Sequence, residues 1–197
     1  GWIGPEIVLG LAYRYLSPGQ TILDIGIGTG LGSALFRKAG LTVWGMDRSE
    51  EMLEKCREKG FAASLVRHDI LDFPYPYGDG AVDHVVSVGV FQFFRDLGSV
   101  FHEAARIVRP GGLFMFITGN RSADEESPLI AAPEQTGLDV PVTMYRHSPE
   151  QIGGWLGDSG FGAVTGLDFT VFMDRERRGV FPVRAWLTRK LPDQPAM

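Results

Sequence analysis

The chain has 197 residues, 44% hydrophobic and 22% charged, with a formal net charge of −5. That length suits one α/β domain burying about 70% of its unfolded surface. The acidic balance argues against broad nucleic-acid binding, which depends on Lys and Arg neutralising phosphates. A single cysteine, Cys56, leaves no disulfide framework and no thiolate metal cluster, and no apolar run approaches the roughly 18–20 residues of a membrane span. The composition therefore predicts a single cytoplasmic domain over 1–197 with no metal and no membrane contact.

In chain order, Pro5 suits the first turn of a helix whose apolar face is Ile7, Val8, Leu11, Ala12 and Tyr15, ended by Ser17-Pro18-Gly19. Thr21-Ile22-Leu23 reads as a first strand, closed by Asp24 and the glycine turn Gly26-Ile27-Gly28-Thr29-Gly30. Leu31 to Ala39 has helical spacing. Thr42 to Met46 is a second strand closed by Asp47, and Ser49 caps a helix that carries Glu50 and Glu51 in its first turn. Ala62 to Val66 is a third strand closed by His68 and Asp69, and Val82 to Val90, apolar on both faces, is a central parallel strand. A helix over Val100 to Val108 leads through Arg109-Pro110-Gly111-Gly112 into a fifth strand, Leu113 to Thr118.

From Gly119 to His147 the pattern lapses into acidic sequence with Pro and Ser, which predicts a long segment covering the active site. Pro149 to Ser159 is helical again, and Phe161 to Met173 with Val180 to Thr188 form a closing antiparallel hairpin around Asp174 to Gly179. Alternation of strand and helix predicts a doubly wound, mostly parallel seven-stranded sheet with helices on both faces, a Rossmann-like architecture.

In such a sheet, ligands sit beyond the carboxyl ends of the strands, and three of those ends carry acids: Asp24, Asp47 and Asp69. Glycine at 26, 28 and 30 accepts positive φ and lets a ligand approach the backbone. A carboxylate at position 24 would repel a dinucleotide pyrophosphate and suits an ammonium group instead. The third glycine of the dinucleotide fingerprint is also missing, since Leu31 follows Gly26-x-Gly28 and Ser33 follows Gly28-x-Gly30 at that place. S-adenosylmethionine, with an amino acid, a sulfonium, a ribose and an adenine but no phosphate, matches this better than NAD; an NAD(P)-dependent oxidoreductase of Rossmann type, or a module that binds S-adenosylmethionine without turnover, stays the alternative. Asp47, 17 residues after Gly30, is placed to accept from two ribose hydroxyls, and Asp69 with the Ile70 backbone is placed to meet an adenine edge.

The segments "ILDIGIGTG", "GMDRSEEML", "HDILDFPYPYGDGAVDHVVSVGVFQFF" and "EAARIVRPGGLFMF" stand in the order and spacing of the class I S-adenosylmethionine-dependent methyltransferases, and the chain resembles the small, single-domain members over residues 20–118. The later "HSPEQIGGWLGDSGF" is similar to the family's penultimate helix and strand entry. The resemblance implies a methyltransferase acting on a small-molecule O, N or C nucleophile, with S-adenosylhomocysteine as product. It implies that Gly26 and Gly28 border the methionine part, Asp47 binds ribose, Arg48 and Met52 flank the adenine, Asp69 and Ile70 read its edge, and Ser87, Val88 and Gly89 line the sulfonium end. Ile27 stands where many relatives have cysteine or alanine, and "VFQFF" replaces a histidine-bearing segment, so no base is implied there.

Methyl transfer from a sulfonium needs alignment more than a nucleophile, and the sequence offers no compelling catalytic group. Tyr145 and His147, at the end of the covering segment, are the candidates for contact with the acceptor. His84 and His102 read as surface or packing positions, Cys56 as a buried small hydrophobe, and Trp44, Phe91, Phe93 and Phe94 as core packing, with a wall of the acceptor site as the alternative for Phe93 or Phe94. The Asn/Asp-Pro-Pro-Tyr and Pro-Cys segments of nucleobase methylation are missing, which points to a small molecule and not a nucleic acid, with protein acceptors left open.

Overall fold

The computed structural model describes residues 2–122, 125, 127–131, 141–172 and 180–192. Its sheet runs β3-β2-β1-β4-β5-β10-β9. The strands are β1 (Thr21–Ile25), β2 (Thr42–Asp47), β3 (Ser64–Arg67), β4 (Val82–Ser87), β5 (Val108–Asn120), β9 (Phe161–Phe172) and β10 (Val180–Lys190). Strands β1 to β5 pair in parallel, while β10 is antiparallel to both neighbours, with Leu187 opposite Met115 on β5 and Thr165 on β9. An eighth, two-residue strand, β8 (Arg146–His147), lies parallel to the end of β5. The doubly wound architecture and the closing hairpin of the sequence reading are what the chain forms.

Alternation along each strand builds two cores, as a two-residue side-chain period requires. Leu23, Ile25, Phe114 and Phe116 face one side, packed under α4 (Gly98–Ile107) and α5 (Pro149–Asp158) through Phe101, Ala104, Ile152 and Leu156. Ile22, Val43, Met115 and Ile117 face the other, covered by α1 (Gly4–Ala12), α2 (Ser33–Lys38) and α3 (Glu50–Glu58) through Val8, Phe36, Leu53 and Cys56. Cys56 is fully buried and free. Trp44 packs against the first core and stacks on Tyr77.

Several boundaries differ from the sequence reading. The turn holds on through Gly32, so α2 starts at Ser33 and Leu31 is left 77% exposed. β4 stops at Ser87, because Gly89 at φ 84° turns the chain and Phe91–Phe93 winds into a 3₁₀ turn. Arg109-Pro110-Gly111-Gly112 is a bulge inside β5, where Val82 faces Val108 and His84 already faces Leu113. Gly112 is needed there, since a Cβ would stand 2.2 Å from the Asp83 carbonyl oxygen. His84 braces the bulge, accepting from Leu113 N–H at Nδ1 (3.2 Å) with Nε2 2.9 Å from Gln20 Oε1, and burial draws its imidazole down to about 4. The 119–147 segment also holds more regular structure than its sequence suggests. β6 (Leu129–Ala131) pairs antiparallel with β7 (Val142–Met144), ahead of β8. Residues 123–124, 126 and 132–140 of it, and the hairpin tip 173–179, lie outside the described residues.

Candidate functional site

Asp24 stands at the carboxyl end of β1, 7% exposed. Ser33, at the start of α2, donates its hydroxyl to Oδ2, while the buried Oδ1 has no hydrogen-bond partner among the described residues. Burial pushes the carboxyl up to about 7, opposed by the Ser33 bond and reinforced by the nearby Asp47 charge. An orphaned carboxylate oxygen costs free energy unless something donates to it, and an ammonium group would both donate and neutralise.

The three glycines after it serve three purposes. Gly26, at φ 79°, presses on the chain after β4, where a Cβ would come within 2.4 Å of Val90. Gly30, at φ 76°, is packed from behind by Phe61 and Cys56, so it shapes the turn and does not line the cavity in front of it. Gly28, at φ 53°, has nothing within 4 Å of its missing Cβ and faces open space. Its N–H donates to Asp47 Oδ2 at 2.9 Å, and Asp47 Oδ1 accepts from Ser49 N–H at 2.9 Å. Asp47 thus ties the glycine turn to the start of α3 and keeps lone pairs for further donors.

In front of the turn lies a cavity of about 540 Å³, bounded by Asp24, Gly26, Gly28, Val88 and Gly89 and closed on the far side by Trp2, Pro5 and Glu6 of the α1 region. That volume falls in the range of about 300–1,000 Å³ common for small-molecule sites. Of the expected cofactor residues, Asp47, Arg48, Met52, Asp69 and Ile70 do not line this cavity. They follow it along the sheet edge, at the ends of β2 and β3. Arg48 and Met52 are exposed there. Asp69 Oδ1 accepts from Leu71 N–H at 2.9 Å, and the Ile70 carbonyl accepts from the buried Tyr75 hydroxyl at 2.8 Å. Ser87 is fully buried and its hydroxyl donates to the Ile25 carbonyl at 2.8 Å, so it links β4 to β1 and leaves the cavity wall to Val88 and Gly89.

Tyr145 and His147 are placed elsewhere. They line a second cavity of about 160 Å³ with Arg95, Arg121, Arg146 and Gln151. Tyr145 N–H donates to the Gln92 carbonyl at 2.6 Å. His147 is buried, its Nε2 lies 3.1 Å from the Phe94 carbonyl, and burial holds its imidazole below the usual range, so it is neutral near pH 7. Among the described residues, no cluster of His, Cys, Asp and Glu could hold a metal ion, and no helix is long and apolar enough to cross a membrane. The sequence reading missed Trp2, Pro5 and Glu6 as cavity walls, along with Arg95 and Arg121. No local pattern marks them, since each reaches its cavity only through tertiary placement.

A doubly wound sheet with an acid at each of its first three strand ends, and a glycine turn opening on a cavity, is an architecture of the Rossmann-like class. Residues 23–116 match the family model described as a methyltransferase domain. The chain is 35% identical over 153 residues to the malonyl-[acyl-carrier protein] O-methyltransferase of Serratia marcescens, covering 72% of this chain and 58% of that protein. It is 29% identical over 170 residues to the ubiquinone biosynthesis O-methyltransferase of Hydrogenovibrio crunogenus, covering 80% and 69%. In fold it is similar to a SAM-dependent methyltransferase from Methanosarcina mazei, with a TM-score of 0.78 at 16% identity over 93% of this chain and 98% of that one. It is also similar to the [4+2]-cyclase SpnF, with a TM-score of 0.76 at 16% identity over 95% and 81%. The chain belongs to the class I S-adenosylmethionine-dependent methyltransferases. It spans about half the length of the first curated relatives it matches.

Proposed function

We propose that this chain binds S-adenosylmethionine along the carboxyl edge of β1 to β4 and transfers its methyl group to a small-molecule O, N or C nucleophile. The single observation that carries the reading is the buried Oδ1 of Asp24, without a hydrogen-bond partner among the described residues, at the same cavity as the open face of Gly28. Those two features call for a cationic, phosphate-free ligand lying against the turn. In this reading Asp24 accepts from the ligand's ammonium group, and Gly26 and Gly28 admit its methionine part. Asp47 takes the ribose hydroxyls, Arg48 and Met52 flank the adenine, and Asp69 and Ile70 meet its edge. When bound, the cofactor supplies a methyl carbon activated by a sulfonium, and S-adenosylhomocysteine is the product. Val88 and Gly89 set the floor at the methyl end, while Trp2 and Pro5 keep water from it. The names of the two curated relatives favour an oxygen acceptor as the first class to test.

Calorimetry with S-adenosylhomocysteine against NADH tests the cofactor. The homocysteine compound should bind and NADH should not. The Gly28→Val variant should lose that binding, because a branched side chain would fill the open space and strain a backbone at φ 53°. Normal binding by that variant would refute the placement. A methyl-release assay across hydroxyl, carboxyl and amine acceptors then separates turnover from mere retention of the cofactor.

A further inference from the structure

We propose that the rim of the larger cavity, where Trp2, Pro5 and Leu31 meet, seats an aliphatic or aromatic body of the methyl acceptor, so that the acceptor is a hydrophobic small molecule. This deepens the proposed function and rests on it. Leu31 is 77% exposed and Trp2 46% exposed, yet both line the cavity. A single exposed leucine is ordinary on a protein surface, but large apolar side chains gathered at the mouth of a cavity mark a place where apolar ligand area leaves water. Neither residue belongs to either core of the domain, so packing does not account for them.

Two glycines hold the rim together. Gly32 lets the glycine turn approach α1, since a Cβ there would stand 3.2 Å from Pro5 Cγ. Gly4 lets the Trp2 ring lie against the start of α1, where a Cβ would come within 2.4 Å of the ring and 2.8 Å of Ile117 on β5. The indole also meets Phe169 of β9, with ring centroids 6.4 Å apart, and Phe169 packs on the second core. Trp2 is thus backed by the fold while nearly half of its surface stays open. Leu31 precedes α2, whose packing is left to the fully buried Phe36.

The cofactor does not account for these walls. In the proposed reading its ribose and adenine lie beyond the cavity, at the ends of β2 and β3, and its amino group meets Asp24. What remains of it inside is a short arm that ends at Val88 and Gly89. The same cavity of about 540 Å³ is also bounded by Trp2, Pro5, Leu31 and Leu35, none of which carries a charge. Burial of hydrocarbon against such walls is favourable and asks for no fixed partner atoms. An acceptor so held would keep its body at the rim and its reacting atom toward Val88 and Gly89.

Calorimetry on the chain saturated with S-adenosylhomocysteine tests the inference with hexanol, octanol and decanol as probes. Binding should tighten roughly tenfold for each pair of methylenes added, as expected for burying them. Leu31→Asn should weaken octanol binding about tenfold and flatten the series, and Leu31→Met should restore both. Leu191→Asn, an exposed leucine beyond β10 at the opposite end of the sheet, should bind octanol as wild type does. Both Leu31 variants should keep the wild-type affinity for S-adenosylhomocysteine, which a residue of the cofactor's own wall would not. Octanol should also shift the tryptophan emission of wild type to the blue, and the shift should vanish in Trp2→Phe. No binding of octanol, no dependence on chain length, equal losses in Leu31→Asn and Leu191→Asn, loss of S-adenosylhomocysteine affinity in Leu31→Asn, or an emission shift that persists in Trp2→Phe would overturn the inference. If the wild-type chain failed to bind S-adenosylhomocysteine, the cofactor reading would fall instead, and the same alcohol series on the unliganded chain would still decide this one.

Discussion

Asp24 is a carboxyl group taken out of water with, among the described residues, a partner for only one of its oxygens. With its folded value at about 7 against an ordinary 3.8, the native state keeps a proton that the unfolded chain releases between those limits. Stability of the unliganded chain should therefore fall as pH rises from about 4 to 7, by an amount on the order of 4 kcal/mol if the shift is fully expressed. Thermal melts of wild type and Asp24→Asn across pH 4–8 check this, since the variant should lose that slope. A bound ammonium group reverses the preference, so affinity for S-adenosylhomocysteine should rise with pH up to about 7 in wild type and stay flat in Asp24→Asn. Asp47 carries a different load. Asp47→Ala removes the acceptor for the ribose hydroxyls and also frees the N–H groups of Gly28 and Ser49. At roughly 1.5–3 kcal/mol per charge-assisted bond, calorimetry should show a loss of at least tenfold in S-adenosylhomocysteine affinity, with a small drop in melting temperature. Unchanged affinity would remove Asp47 from the site.

The elements were legible where their period was long and unbroken. β1, β2, α3 and the closing hairpin fall where the residues place them, because Thr21 to Ile25 or Ser49 to Gly60 offer one pattern and clear stops. The end of β4 was not legible, since valines continue past Ser87 at positions 88 and 90 and only the Gly89 turn, a backbone property, marks the break. β6, β7 and β8 span two or three residues each, too few for any periodicity to register. The acids at the ends of β1 to β3 could be read from the chain, whereas the arginines of the second cavity, spread from 95 to 146, meet only through the fold. Tyr145 hangs by its N–H on Gln92, next to the Gly89 wall. Hydrogen exchange across residues 141–147 should therefore slow when S-adenosylhomocysteine and the methyl acceptor are bound together. Equal exchange in both states, with full activity of a Tyr145→Ala/His147→Ala double variant, would make the segment a bystander.

At the scale of the whole molecule, ligand and fold share one structure, because the glycine turn joins β1 to α2 and reaches β2 through the Gly26 and Ile27 N–H bonds to the Met46 carbonyl at 2.8 and 3.1 Å. Binding there should stabilise the domain as a unit. S-adenosylhomocysteine at a hundred times its dissociation constant adds about 2.7 kcal/mol, which should raise the melting temperature of a chain this size by about 5–10 °C. A scanning-calorimetry trace in which only part of the transition moved would show that the two halves of the sheet melt separately.

The wedging of β10 between β5 and β9 has a consequence for biosynthesis. On the ribosome β5 is complete long before β10 exists, since Gly119 waits for Val183 and Leu113 for Arg189. At about 5–20 residues per second the gap lasts on the order of 3–15 s. During that time the apolar run from Leu113 to Ile117 presents an unpaired border to solvent or to another nascent chain. Translation speed across residues 120–190 is thus part of what this topology asks of the cell, and a ribosome that stalls there exposes a sticky intermediate for chaperones to guard.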